Sequence, residues 1–178
     1  MTPQYDRRRF LGAGAALLLG TRAVRGATQA GEARSVSFVH THTRESLTTI
    51  YFQDGAYLPA ELDKVAHVLR DFRTGEVHPI DPKLLDYLVD LRQLAGFDEP
   101  YQVISGYRSA QTNAELRRRS SGVAEHSLHM EGRAIDVRIG NFPTDRLHGL
   151  ALRMQRGGVG FYRASDFVHL DTGRVRSW

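Results

Sequence analysis

Apolar and polar residues alternate along residues 35–43 and 47–53, with Val36 and Phe38 on one face of the first run and Ile50 and Phe52 on a face of the second. A period of two is that of a half-buried strand, so these runs predict a β-hairpin. Between residues 59 and 72 the spacing becomes helical, bringing Leu62, Val65, Ala66, Leu69 and Phe72 to one side, with Pro59 tolerated in the first turn. A second helix is expected to start at Asp81-Pro82, bury Leu84, Leu85, Leu88 and either Leu91 or Leu94, and stop at Gly96. Residues 101–105 read as a short strand, 106–109 as a turn and 111–119 as a short, strongly basic helix.

The clearest strand is 134–139, with Ile135, Val137 and Ile139 on one face and Ala134, Asp136 and Arg138 on the other. Thr144 is placed to cap a helix that presents Leu147, Leu150, Ala151 and Met154, and two short strands, 159–162 and 167–171, follow Gly157-Gly158. Helices lie in the middle of the chain and strands early and late. That order predicts an α+β fold in which one small, mostly antiparallel sheet is flanked by helices.

Length and the leading residues divide this pattern. A chain of 178 residues suits one domain better than two. Arg7-Arg8-Arg9 precedes an apolar run over 11–20 and small residues near Gly26 and Ala27, which reads as a twin-arginine export signal spanning residues 1–30. The run has about half of the roughly twenty apolar residues a spanning helix needs, so a removed signal is expected rather than a membrane anchor. Cleavage is expected between Ala23 and Ala30, leaving residues 31–178 as a single periplasmic domain.

The export segment also explains the net charge of +4. Residues 1–30 hold Arg7, Arg8, Arg9, Arg22 and Arg25 against Asp6 alone, and the remainder balances at 19 basic and 19 acidic residues. A near-neutral mature domain offers no basic footprint for a nucleic-acid partner. The chain has no cysteine, so its fold needs a core and a metal site would need His, Asp or Glu.

Two segments supply such donors. In Ser127-Leu128-His129-Met130-Glu131-Gly132-Arg133-Ala134-Ile135-Asp136, Gly132 and the strand after it argue against a continuous helix. His129 is then expected on a loop and Asp136 on the open face of the strand, where both can reach one ion. His169, within Asp166-Phe167-Val168-His169-Leu170-Asp171, is the third expected donor. Two imidazoles and a carboxylate with an open water position form a catalytic zinc site, and a nearby carboxylate, Asp166 or Asp171, would take the proton of the attacking water.

The string Ser127-x-His129-x-x-Gly132-x-Ala134-x-Asp136 resembles the first zinc motif of the D-Ala-D-Ala metallopeptidases, a group that includes the lysostaphin and sonic hedgehog folds. Asp166-x-x-His169 is similar to its second motif, and Ser105-Gly106-Tyr107-Arg108-Ser109 to its substrate-side turn. With Gly157 to Phe161 as a Gly-Gly-Val-Gly-Phe stretch, the likeness is strongest to exported murein endopeptidases and covers roughly residues 35–178. It implies zinc ligands His129, Asp136 and His169, a general base at Asp166, and an oxyanion-stabilising Arg108. The family's base is mostly Glu, and on a regular strand Asp171 rather than Asp166 would share a face with His169.

The expected activity is zinc-dependent hydrolysis of D-amino-acid or diaminopimelate bonds in peptidoglycan peptides by a monomer. The alternatives are a D,D-carboxypeptidase or dipeptidase on small murein peptides, and a catalytically silent wall-binding domain. Other histidines carry less. His40 and His42 share a strand face and are expected to be partly exposed strand residues, and His126 is either an alternative ligand or a cleft liner. His67, His78 and His148 have no evident partner, and Arg117-Arg118-Arg119 reads as a solvated helix end.

Overall fold

The expected hairpin is formed by β1 (Arg34–His40) and β2 (Ser46–Gln53), which pair antiparallel with Val36 opposite Thr49 and Phe38 opposite Leu47. These belong to a computed structural model that describes residues 33–120 and 122–178. The export-signal reading of residues 1–30 lies outside the described residues. On β2 the inward face differs from the expected one, because Tyr51 is fully buried and Ile50 is exposed. Tyr51 directs its hydroxyl to Asp86 at 2.8 Å, so the aromatic ring occupies the core while its polar end is satisfied.

A two-residue strand β3 (Ala56–Tyr57) then pairs with the end of β2 and leads into helix α1 (Pro59–Val68). The helix stops four residues before Phe72, the limit expected from its periodicity. Past Val68 the chain is recruited by other elements: the Leu69 carbonyl accepts the Tyr107 N–H at 2.8 Å, and Phe72 stacks on His42 with ring centroids 4.1 Å apart. Helix α2 (Pro82–Ala95) has the predicted signals, with Asp81 accepting the Lys83 N–H at its start and Gly96 at φ 71° closing it.

Strand β4 (Tyr101–Ser105), helix α3 (Ala110–Arg119) and strand β5 (Ala134–Ile139) follow. Helix α4 (Thr144–Met154) precedes β6 (Gly158–Tyr162), β7 (Phe167–Asp171) and the short β8 (Arg176–Ser177). The eight strands form one sheet in the order β3-β2-β1-β4-β5-β7-β6-β8, antiparallel except at the β1–β4 and β6–β8 pairs. Two of these strands, β3 and β8, are too short for periodicity to reveal. Thr144 is the first residue of α4 rather than its cap, and its hydroxyl instead donates to Asp166 at 2.6 Å.

The core lies on one face of this sheet. Ile135, Val137, Ile139, Val168 and Leu170 pack there with Leu84, Leu88 and Leu91 of α2 and Leu147 and Ala151 of α4. Burying a side chain of this size contributes roughly 1.5–3 kcal/mol, which makes this layer the main stabilising element. By strand alternation Asp136 and His169 project from the other face, and the apolar layer behind them fixes their backbone.

Candidate active site

Pairing register assembles the site before any side chain is considered. Ser105 of β4 lies opposite Asp136 of β5, Asp136 opposite His169 of β7, and His169 opposite Gly160 of β6. One row across the sheet therefore carries a hydroxyl, a carboxylate, an imidazole and a gap. His129 comes over this row from a 3-10 turn, Leu128–Glu131, rather than from an open loop. Ser127 caps the turn by accepting the His129 N–H, and Gly132 ends it at φ 64°. Only glycine suits that position, since the left-handed backbone is strained for other residues and a Cβ there would strike the Pro79 carbonyl.

His129 Nε2, Asp136 Oδ1 and His169 Nδ1 face one another at 3.2, 3.2 and 2.9 Å. Donor atoms held about 2.0–2.1 Å from a tetrahedral zinc ion stand roughly 3.3 Å apart, so this triangle fits one. The far side of each ring is already assigned. His129 donates Nδ1–H to the Gly106 carbonyl at 2.7 Å, and His169 donates Nε2–H to Asp171 Oδ2 at 3.1 Å. A carbonyl and a carboxylate can only accept, which leaves one lone pair per ring directed at the cluster. Among the described residues this is the one group of three side chains arranged to hold a metal.

Burial and charge act in opposition here. Burial depresses the His129 pKa despite Asp136 beside it. For His169 burial acts in the same direction, but hydrogen bonds to Asp136 and Asp171 outweigh it and raise the pKa. Burial alone would favour the protonated acid at Asp136; the two histidines hold it well below the usual carboxylate range instead. Asp136 therefore stays an anion in a site from which water is largely excluded.

Arg108 approaches from the turn after β4, donating Nη2–H to Asp136 Oδ2 at 2.9 Å and Nε–H to Ser105 Oγ at 3.2 Å. The surrounding turn is fixed residue by residue. Tyr107 donates its hydroxyl to Glu76 at 2.5 Å, and Ser109 caps α3 by accepting the Thr112 N–H. Ser109 also donates through its backbone N–H and hydroxyl to Asp71 Oδ2, at 2.9 and 2.7 Å. Burial would raise the Asp71 pKa, but these bonds and those from Thr112 and Arg73 lower it to about 2. Nothing in the sequence pattern marks Asp71, because Ser109, the residue it holds in this turn, is 38 residues away.

Asp166, expected as the general base, is not one of the three converging donors. It precedes β7 in a left-handed turn at φ 50°, accepts from Thr144 Oγ1, lies 3.9 Å from Arg138, and has a side chain 65% exposed. Asp171 is fully buried, and its carboxylate accepts from His169, the Gly158 and Gly173 N–H groups and both terminal nitrogens of Arg176. Its oxygens are occupied in aiming His169. His40 is buried, not partly exposed as expected, its Nδ1 accepts backbone N–H groups of His42 and Thr43, and among the described residues no group of three donors includes it or His42.

The cluster forms the floor of a cleft of about 480 Å³. One wall comes from Val123, Ala124 and His126, the other from Tyr162, Phe167, Arg176 and Trp178. His126 lines the cleft without joining the donor triangle. The second wall was not read from the sequence, since its tail reaches the site through β8, which has only two residues.

A family model described as peptidoglycan L,D-endopeptidase MepK matches residues 28–178. The peptidoglycan L,D-endopeptidase MepK of Escherichia coli (strain K12) is 44% identical over 145 residues, 82% of this chain and 80% of that protein. The Shigella flexneri protein of that name is equally similar. A probable peptidoglycan L,D-endopeptidase MepK of Haemophilus influenzae is 40% identical over 146 residues, 82% of this chain and 78% of that protein.

Proposed function

The chain belongs to the peptidase family described as peptidoglycan L,D-endopeptidase MepK, and from this premise we propose that it is a zinc-dependent, monomeric murein endopeptidase hydrolysing peptide cross-links at diaminopimelate. The observation that carries the reading is the triangle of His129 Nε2, Asp136 Oδ1 and His169 Nδ1, with both rings tautomerically fixed at the floor of a cleft. Zinc bound there supplies Lewis acidity and a water of near-neutral pKa.

The chain's own groups do the rest. Gly106 and Asp171 orient the two imidazoles, and apolar β5 and β7 keep the backbones of Asp136 and His169 in place. Arg108 neutralises Asp136 Oδ2 with one edge of its guanidinium, leaving Nη1 as the donor for an oxygen that gains charge in the transition state. The proton released on attack goes to a group lining the cleft. His126 lines the cleft with its ring outside the triangle and is placed to take it, whereas Asp166 is turned toward Thr144.

Digestion of a defined cross-linked muropeptide tests the reaction class. An endopeptidase splits it into its two stem peptides, a carboxypeptidase releases single terminal residues, and a silent domain leaves it intact. Fragment masses distinguish the three, and an intact substrate in the presence of zinc would refute the proposal.

The two aspartates of the second motif separate in the same assay. Asp166→Asn is expected to keep turnover within about threefold, whereas Asp171→Asn should weaken zinc binding about 10–100-fold by releasing His169. Loss of turnover in Asp166→Asn with full zinc occupancy would restore Asp166 as the base.

Export by the twin-arginine route to the periplasm is proposed from Arg7-Arg8-Arg9 and the apolar run after it. Changing Arg7 and Arg8 together to Lys should leave full-length chain in the cytoplasm on immunoblots of fractionated cells. Normal processing of that variant would point to the general secretory route.

A further inference from the structure

The register row that builds the metal floor continues one strand further, and its last position is occupied by Trp178. Gly160 stands opposite His169 and has no side chain, and the indole lies over the space this leaves. A Cβ at Gly160 would meet Trp178 Cε2 at 2.6 Å, so the close approach depends on glycine. The Trp178 backbone is pinned to β6 on both sides, its N–H donating to the Val159 carbonyl and its carbonyl accepting the Phe161 N–H.

The ring is fixed as well. Its Nε1–H donates to the Tyr162 hydroxyl at 3.0 Å, and Tyr162 is itself stacked on Phe167 with centroids 4.5 Å apart. Arg176, held on buried Asp171, places its guanidinium 4.9 Å from the indole centroid. Despite these anchors Trp178 remains 50% exposed, and it lines the cleft 5.1 Å from the His169 ring, centroid to centroid. A rigid, exposed aromatic surface beside reacting groups binds apolar substrate atoms with little loss of side-chain freedom.

We propose that Trp178 is a specificity-determining substrate residue, its indole packing the aliphatic side chain of the diamino acid next to the scissile bond; this rests on the murein-endopeptidase reading. Distance selects that occupant over the glycan, the other murein component able to stack on an aromatic ring. The sugar is separated from the cross-linking residue by at least two residues of stem, about 7 Å of extended chain, whereas the indole is in contact with the metal floor. The residue flanking the cleaved bond is the part of murein that must lie there.

Steady-state kinetics on a peptide carrying diaminopimelate at the cleaved bond, and on the same peptide with alanine there, test the assignment. Trp178→Ala should raise KM about tenfold on the diaminopimelyl peptide with kcat and zinc content little changed, and should hardly affect the alanine peptide. Trp178→Phe should recover most of the loss. Equal losses on both peptides would reduce Trp178 to a structural role, and no loss on either would remove it from the substrate; both overturn the proposal.

If the unsubstituted protein cleaves neither peptide, the endopeptidase reading fails and emission decides the shelf. Trp178 is the chain's single tryptophan, so its fluorescence reports this position alone. A saturable shift on adding the uncleaved diaminopimelyl peptide upholds the contact, and an unchanged spectrum overturns it.

Discussion

Replacing His129 by alanine is expected to lower murein hydrolysis at least about 10³-fold and to remove most of the zinc from a chain that otherwise binds about one ion. The effect is large because His129 is the donor that arrives from outside the sheet. Asp136 and His169 are neighbours across β5 and β7 and stay in place without it, but two donors on one face do not complete a site. The variant also leaves the Gly106 carbonyl without its imidazole partner. Folding is therefore checked by circular dichroism alongside metal analysis. Asp136→Asn is the companion, keeping shape while removing the charge that Arg108 neutralises. Full zinc content in both variants would place the metal elsewhere.

Arg108→Ala should cost about 10²–10³ in kcat while zinc is retained, as is typical when one donor to a developing oxyanion is lost. Two consequences are combined in that variant. The transition state loses a fixed cation, and Asp136 Oδ2, in a nearly buried side chain, loses its ion pair. Arg108→Lys keeps the charge but cannot reach Ser105 and Asp136 with one planar fork, so it should be clearly impaired too. A rise in KM with kcat unchanged would make Arg108 an anchor for a substrate carboxylate. Unaltered kinetics in both variants would confine it to the turn.

The convergence of His129, Asp136 and His169 was legible because alternation along 134–139 and 167–171 settles which side chains share a face. The same rule placed Asp171 with His169. Asp166 follows the motif spacing but not the strand, which begins only at Phe167, after a left-handed residue. Periodicity carries no information about a position in positive φ. Tyr51 takes the inward position on β2 for a different reason, since a hydroxyl satisfied by Asp86 lets the larger aromatic enter the core in place of Ile50.

What stayed hidden depends on long-range pairing. Asp71, 38 residues before Ser109, holds the Arg108 turn, and Trp178 reaches His169 only because β8 pairs with β6. Neither relation has a local period. Single residues in loops and two-residue strands obtain their roles from the sheet order, which a hydrophobic pattern constrains only in part.

The most direct test of the central claim is digestion of purified murein sacculi by the mature protein before and after chelation, with zinc then restored and the released fragments identified by mass. The account predicts fragments cut at a peptide bond of diaminopimelate, their disappearance with chelator and their return with zinc. Undiminished release in the metal-free protein, or intact sacculi with zinc present, would contradict it.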